Sequence, residues 1–190
     1  SRHEKNPKLR NLRAELEALR SMLQWLRRQF PKAKIVAKAG NHEERWEHYL
    51  WGMDPRLFGL DELSFPNLLE LPARGIELAG RRQNIRAGML NILHGHELEQ
   101  GASSPVNPAR GAFLRSKECV LIGHRHQTSE HSEPTLSRRV IATWSAGCLC
   151  GLWPDYAVTN RWNHGFAEVE VGRGDNFTVE NRKVINGVVY

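Results

Sequence analysis

Three short stretches of this 190-residue chain combine residue types that bind metal ions. Ala39-Gly40-Asn41-His42-Glu43 closes the apolar run Ile35-Val36-Ala37. Ile92-Leu93 runs into His94-Gly95-His96, and Leu121-Ile122 runs into Gly123-His124-Arg125-His126. Each pattern reads as a strand whose carboxyl end carries an amide or an imidazole. In open α/β sheets ligands gather at that edge. Imidazoles suit transition ions such as Zn, Fe and Ni, whereas amide oxygens suit harder ions such as Mn. Two ions ~3.5–4 Å apart lower the pKa of a bound water and clamp the oxygens of an in-line displacement at phosphorus. A further His outside the ligand set can give a proton to the leaving oxygen. Asn41, His94, His124 and His126 fit the ligand roles, and His42 fits the acid. Arg125 has two open roles, a bidentate contact to an anion or a solvated surface charge. His96 is expected to line such a site without ligating.

The elements that position these residues follow from periodicity. Asn6-Pro7 reads as a helix start. Leu9, Leu12, Leu16, Leu19, Leu23, Leu26 and Phe30 then form one apolar stripe, which predicts a helix lying on a sheet. Its arginines are most simply its solvated face. Pro31 ends it, and 34–39 is the strand leading into Gly40. Residues 75–78 and 87–93 read as strands, 107–118 as a helix capped at Asn107-Pro108, and 119–122 as a buried strand. Residues 127–138 read as a polar loop, and 140–144 and 148–152 as strands. The tail alternates in and out over 166–171 and 177–184, and Asn186-Gly187 is a strong hairpin signal. Helices alternating with strands, followed by an antiparallel end, predict an α/β domain with mixed sheets.

Composition narrows the class. A chain of this length suits one domain, 1–190, with a real core. No apolar run approaches the ~20 residues of a membrane span, and residues 1–30 do not resemble a signal peptide, so the cytoplasm is the expected location. Lys and Arg outnumber Asp and Glu by 27 to 21, a net +6, which favours anionic ligands in general. Cys119, Cys148 and Cys150 make no disulfide framework. Cys148-x-Cys150 is half of a zinc pattern without a second pair, and alternate positions on a buried strand are the preferred reading. The chain holds only four aspartates, Asp54, Asp61, Asp155 and Asp175.

At these residues the sequence resembles the calcineurin-like metallophosphoesterases. Gly40-Asn41-His42-Glu43 matches that family's Gly-Asn-His-Asp/Glu motif, His94-Gly95 its lone His motif, and Gly123-His124-Arg125-His126 its Gly-His-x-His motif, in the family's order and spacing. The resemblance implies a four-layer αββα sandwich of two mixed β-sheets flanked by helices. It implies a hydrolase acting on a phosphomonoester or phosphodiester, small molecule or nucleic acid, through two divalent transition metal ions drawn from Mn, Fe, Zn, Co and Ni. It makes Asn41, His94 and His124 ligands of one ion, His126 a ligand of the other, and His42 the residue that engages the phosphate and the leaving group. The family's earlier motifs, Asp-x-His and Gly-Asp-x-x-Asp, do not occur before Gly40. The natural amino terminus, with two strands of one sheet, is therefore expected to lie upstream of Ser1. Gly174-Asp175 falls in a hairpin turn and is rejected as the bridging Asp. A second class stays open, a non-catalytic module of the same fold that binds nucleic acid or a protein partner through its basic surface. Motifs upstream of Ser1 would separate the two.

Overall fold

The leucines of the first helix cover a small parallel sheet. In the computed structural model, which describes residues 11–57, 59–98, 106–155, 157 and 159–190, helix α1 spans Leu12–Gln29. Asn11 caps it, its side chain accepting from Ala14 N at 3.2 Å. The earlier start expected at Asn6-Pro7 lies outside the described residues. The chain divides into two units, Ser1–Gly80 and Arg81–Tyr190.

In the first unit β1 (Ile35–Lys38) pairs in parallel with β2 (Ile76–Ala79). Leu23 of α1 is buried with Leu69, Leu71 and Ile76, and Leu16, Leu19, Ile35 and Leu78 pack around them. The helix lies on a sheet, as its stripe predicts. Its arginines do more than face water. Arg27 donates to the carbonyls of Ala33, Arg74 and Gly75 at 2.8–2.9 Å, and Arg20 donates to Leu68 O at 2.8 Å. Periodicity shows these side chains off the apolar stripe but not the turns whose carbonyls they satisfy. Helix α2 (Asn41–Met53) follows β1 directly. The short helix α3 (Phe65–Leu68) and several 3-10 turns lead on to β2.

The second unit holds a five-stranded mixed sheet in the order β3-β4-β5-β7-β6. Its strands are β3 (Ile85–Ala87), β4 (Leu90–Leu93), β5 (Val120–Ile122), β6 (Ser129–Pro134) and β7 (Val140–Ser145). β4, β5 and β7 run parallel, and β3 and β6 close the edges antiparallel. Helix α4 (Pro108–Ser116), capped by Asn107, covers one face, with Ala112 buried against Val120 and Ile122. A three-stranded antiparallel sheet follows, β8 (His164–Val171), β9 (Phe177–Ile185) and β10 (Val188–Val189). Asn186 and Gly187, both at positive φ, make the expected turn into β10.

Three sequence expectations are corrected. The strand expected over 87–93 begins only at Leu90, and a tight turn at Gly88-Met89 pairs it with β3. Gly88 has φ +58°, and a Cβ there would lie 2.4 Å from Asp175 O, so glycine is required. The loop expected over 127–138 contains β6, a polar edge strand whose side chains are mostly exposed and so lack an apolar signature. Residues 148–152 form no strand. Only Cys148 bridges, to His164, because the backbone bends at Leu149 and Cys150. Among the described residues no helix is long and apolar enough to cross a membrane.

Candidate metal centre

Three neighbouring strands of the five-stranded sheet are parallel, so their carboxyl ends share one edge. β4 ends at His94, β5 ends at Gly123-His124, and β7 ends at the loop carrying Gly147 and Cys148. The polypeptide is stitched there by its own amides. Gly123 N and His124 N both donate to His94 O, at 3.0 and 2.8 Å. Gly95 adopts φ +117°, and a Cβ on it would sit 3.1 Å from the Cβ atoms of both His124 and Ile122. Without a side chain at Gly95, the two histidine-bearing strand ends can approach.

Four side chains meet at this point. The His94 ring lies 4.8 Å from the His124 ring and 4.9 Å from the His96 ring, centroid to centroid. His94 Nδ1 and His96 Nδ1 are 3.0 Å apart, so one donates and the other accepts. Glu97 accepts from Gly95 N at 2.7 Å, and its Oε2 lies 3.4 Å from His96 Nδ1. The side chains of His96 and Glu97 are only 8% and 13% exposed. His94, His96 and Glu97 thus offer donor atoms within 4.8 Å of one another. A tetrahedral ion with Zn–N bonds of ~2.0–2.1 Å would set ligand nitrogens ~3.3 Å apart, close to the 3.0 Å between His94 Nδ1 and His96 Nδ1.

His96 and Glu97 are not among the ligands expected from the sequence. His96 opens a 3-10 turn, His96–Leu98, and the turn at Gly95, φ +117°, brings its ring back to His94.

His126, at φ +57°, stands a short way along the loop from His124. Its ring packs edge-on against Trp162 at 4.3 Å, and its Nδ1 lies 3.8 Å from Cys150 Sγ. Together with Cys148 its donor atoms form a second group within 4.8 Å. His126 therefore has two thiols as potential fellow ligands. Burial pushes the Cys148 thiol up to about 11, and Cys150 beside it adds to the rise. Arg125 is half-buried.

Asn41 and His42 open α2 in the first unit. Gly40 is the cap, and its N–H donates to Glu43 Oε2 at 2.7 Å. Helix α2 directs its first N–H groups away from its own body, a setting that favours anions. His42 is exposed. Asn41 Oδ1 is buried without a hydrogen-bond partner among the described residues, a cost of ~1–3 kcal/mol that a cation would remove. Of the remaining histidines, His48 lies with its ring tilted against Trp51 at 4.7 Å, and His131 bonds Glu133 at 2.8 Å, both structural roles. His3 lies outside the described residues.

Compared with protein-family models, curated proteins and solved structures, the chain matches none. The functional reading rests on the site itself.

Proposed function

We propose that this protein is a metal-dependent phosphoesterase, hydrolysing a phosphomonoester or phosphodiester. The carrying observation is the meeting of the His94, His96 and His124 rings at the carboxyl edge of adjacent parallel strands, with donor atoms of His94, His96 and Glu97 within 4.8 Å of one another. Such a concentration of partly buried imidazoles, two of them hydrogen-bonded to each other, suits a transition ion better than it suits a core. His94 and His124 would hold one ion, and His126 would serve a second. His96 and Glu97 join this set as ligands or as partners that orient the ligands, since a ligating imidazole is commonly fixed by a neighbouring acceptor. Asn41, in the first unit, offers a buried oxygen without a partner among the described residues, the donor type that its motif's ligand role calls for. The four-layer αββα arrangement goes with the same resemblance.

Bound ions of this kind neutralise charge on phosphoryl oxygens and activate a nucleophile. The protein's own groups do the rest. His42, exposed at the amino end of α2, donates a proton to the leaving oxygen. The first N–H groups of that helix favour the approach of an anion. Arg125 offers a further cation for phosphate.

The test uses the purified protein, stripped with a chelator and reloaded with Mn or Zn. Aryl phosphate and bis-aryl phosphate are assayed side by side, which also separates monoesterase from diesterase. Ion-stimulated turnover is expected. His42→Ala should lower it ~10²–10⁴-fold with metal content unchanged. Turnover indifferent to the ion, or metal loss in parallel with rate in H42A, would contradict these roles.

A further inference from the structure

His126 stands beside two thiols that the phosphoesterase reading does not use. Its Nδ1 is 3.8 Å from Cys150 Sγ, and the donor atoms of His126, Cys148 and Cys150 all lie within 4.8 Å of one another. A tetrahedral shell with Zn–S ~2.3 Å and Zn–N ~2.0–2.1 Å has donor-to-donor edges of ~3.4–3.8 Å, so closing the cluster needs movements of ~1 Å or less.

The backbone around it is already fixed. Asn163 N donates to His126 O at 2.9 Å, Cys148 N donates to Asn163 O at 2.9 Å, and Gly165 N donates to Cys148 O at 3.2 Å. The Asn163 side chain ties in Thr128, accepting from its N–H at 2.8 Å and donating to its Oγ1 at 2.7 Å. His164 Nε2 lies 2.9 Å from Cys150 O, and since a carbonyl only accepts, that nitrogen carries the proton. Gly147 leaves no room for a substituent, because a Cβ there would meet Asn163 O and Gly165 N at 2.6 Å. The loop after β7 is thus held against the start of β8 with its two sulfurs turned toward one imidazole.

We propose that His126, Cys148 and Cys150 form a site for a thiophilic divalent ion, zinc before manganese, with a ligand set separate from His94, His96 and His124. Soft thiolates select zinc-like ions and discriminate against Mn. Binding releases the two thiol protons to solvent, and lone pairs of two sulfurs and one nitrogen fill three positions, with no change of oxidation state. Three protein ligands leave a fourth position open, the pattern of reactive rather than purely structural zinc sites. Cys150 is exposed, so that position is reachable from solvent. This inference goes beyond the phosphoesterase reading by assigning ligands and metal class around His126, and it holds whichever way that reading falls.

The test is a cobalt(II) titration of the chelator-stripped protein, which reports sulfur ligation through an intense near-ultraviolet charge-transfer band. The band is expected to appear, to be lost on adding zinc, to weaken in Cys150→Ser and to vanish in the C148S/C150S double variant. His94→Ala should retain it. Because replacing the buried Cys148 could disturb the fold, wild-type protein provides a control that needs no variant: zinc should block alkylation of the exposed Cys150 but not of Cys119. Cobalt uptake without the sulfur band, or labelling unchanged by zinc, overturns the proposal. Phosphoester turnover in the same samples keeps the two readings apart. A sulfur band without turnover removes only the phosphoesterase, and turnover without the band removes only this site.

Discussion

Holding an amide oxygen away from water without a partner costs ~1–3 kcal/mol, and Asn41 Oδ1 is held that way. Such a defect persists where it serves an ion better than it serves the fold. Asn41→Ala should therefore leave the metal-free protein about as stable in urea, or slightly more so, while shrinking the rise in melting temperature that added ion produces. Equal losses of stability with and without ion would make Asn41 a structural residue. Asn41, His42, His94, His124 and His126 are legible as candidates because each follows a short apolar run, a pattern visible in sequence. Glu97 and the two cysteines are less visible. Their roles depend on a backbone that bends after His94 and after Gly147, and a reading that continues Cys148 into a strand separates it from His126.

At the scale of elements, the site depends on two strand ends that approach closely because Gly95 lacks a side chain. Gly95→Ala adds a Cβ at 3.1 Å from His124 Cβ and Ile122 Cβ, at a φ of +117° that L-residues resist. It should cost ~1–3 kcal/mol in chemical denaturation and reduce ion uptake. Unchanged uptake would show that His94 and His124 do not need this turn. In the first unit, the hydrogen bond from Arg74 holds the Glu70 carboxyl below its ordinary value, burial opposes this, and Arg20 adds to the lowering. A depressed carboxylate stabilises the fold above its unfolded pKa of ~4.3 and loses that contribution as pH falls through the folded value. Glu70→Gln should thus show a small deficit in urea midpoint at pH 7 that closes on acidification. A deficit equal at both ends of the range would point to packing instead. Helices α1 and α4 and the final hairpins are legible from leucine spacing, Asn-Pro capping and Asn-Gly. β6 is not, because a strand at a solvated edge carries polar side chains on both faces.

For the molecule as a whole, an excess of six positive charges favours anionic ligands. Helix-strand alternation is sufficient to give the mixed α/β class. Layering is not legible in the same way, because it depends on how sheets pack rather than on the period of any one segment. The central claim is that the imidazoles of His94 and His124 hold a metal ion, which can be seen directly. An anomalous-difference map from crystals of the protein grown with zinc should show a peak ~2.0–2.1 Å from a ring nitrogen of each. A map with zinc elsewhere and none at these nitrogens, the His94–His96 hydrogen bond still intact, would contradict it.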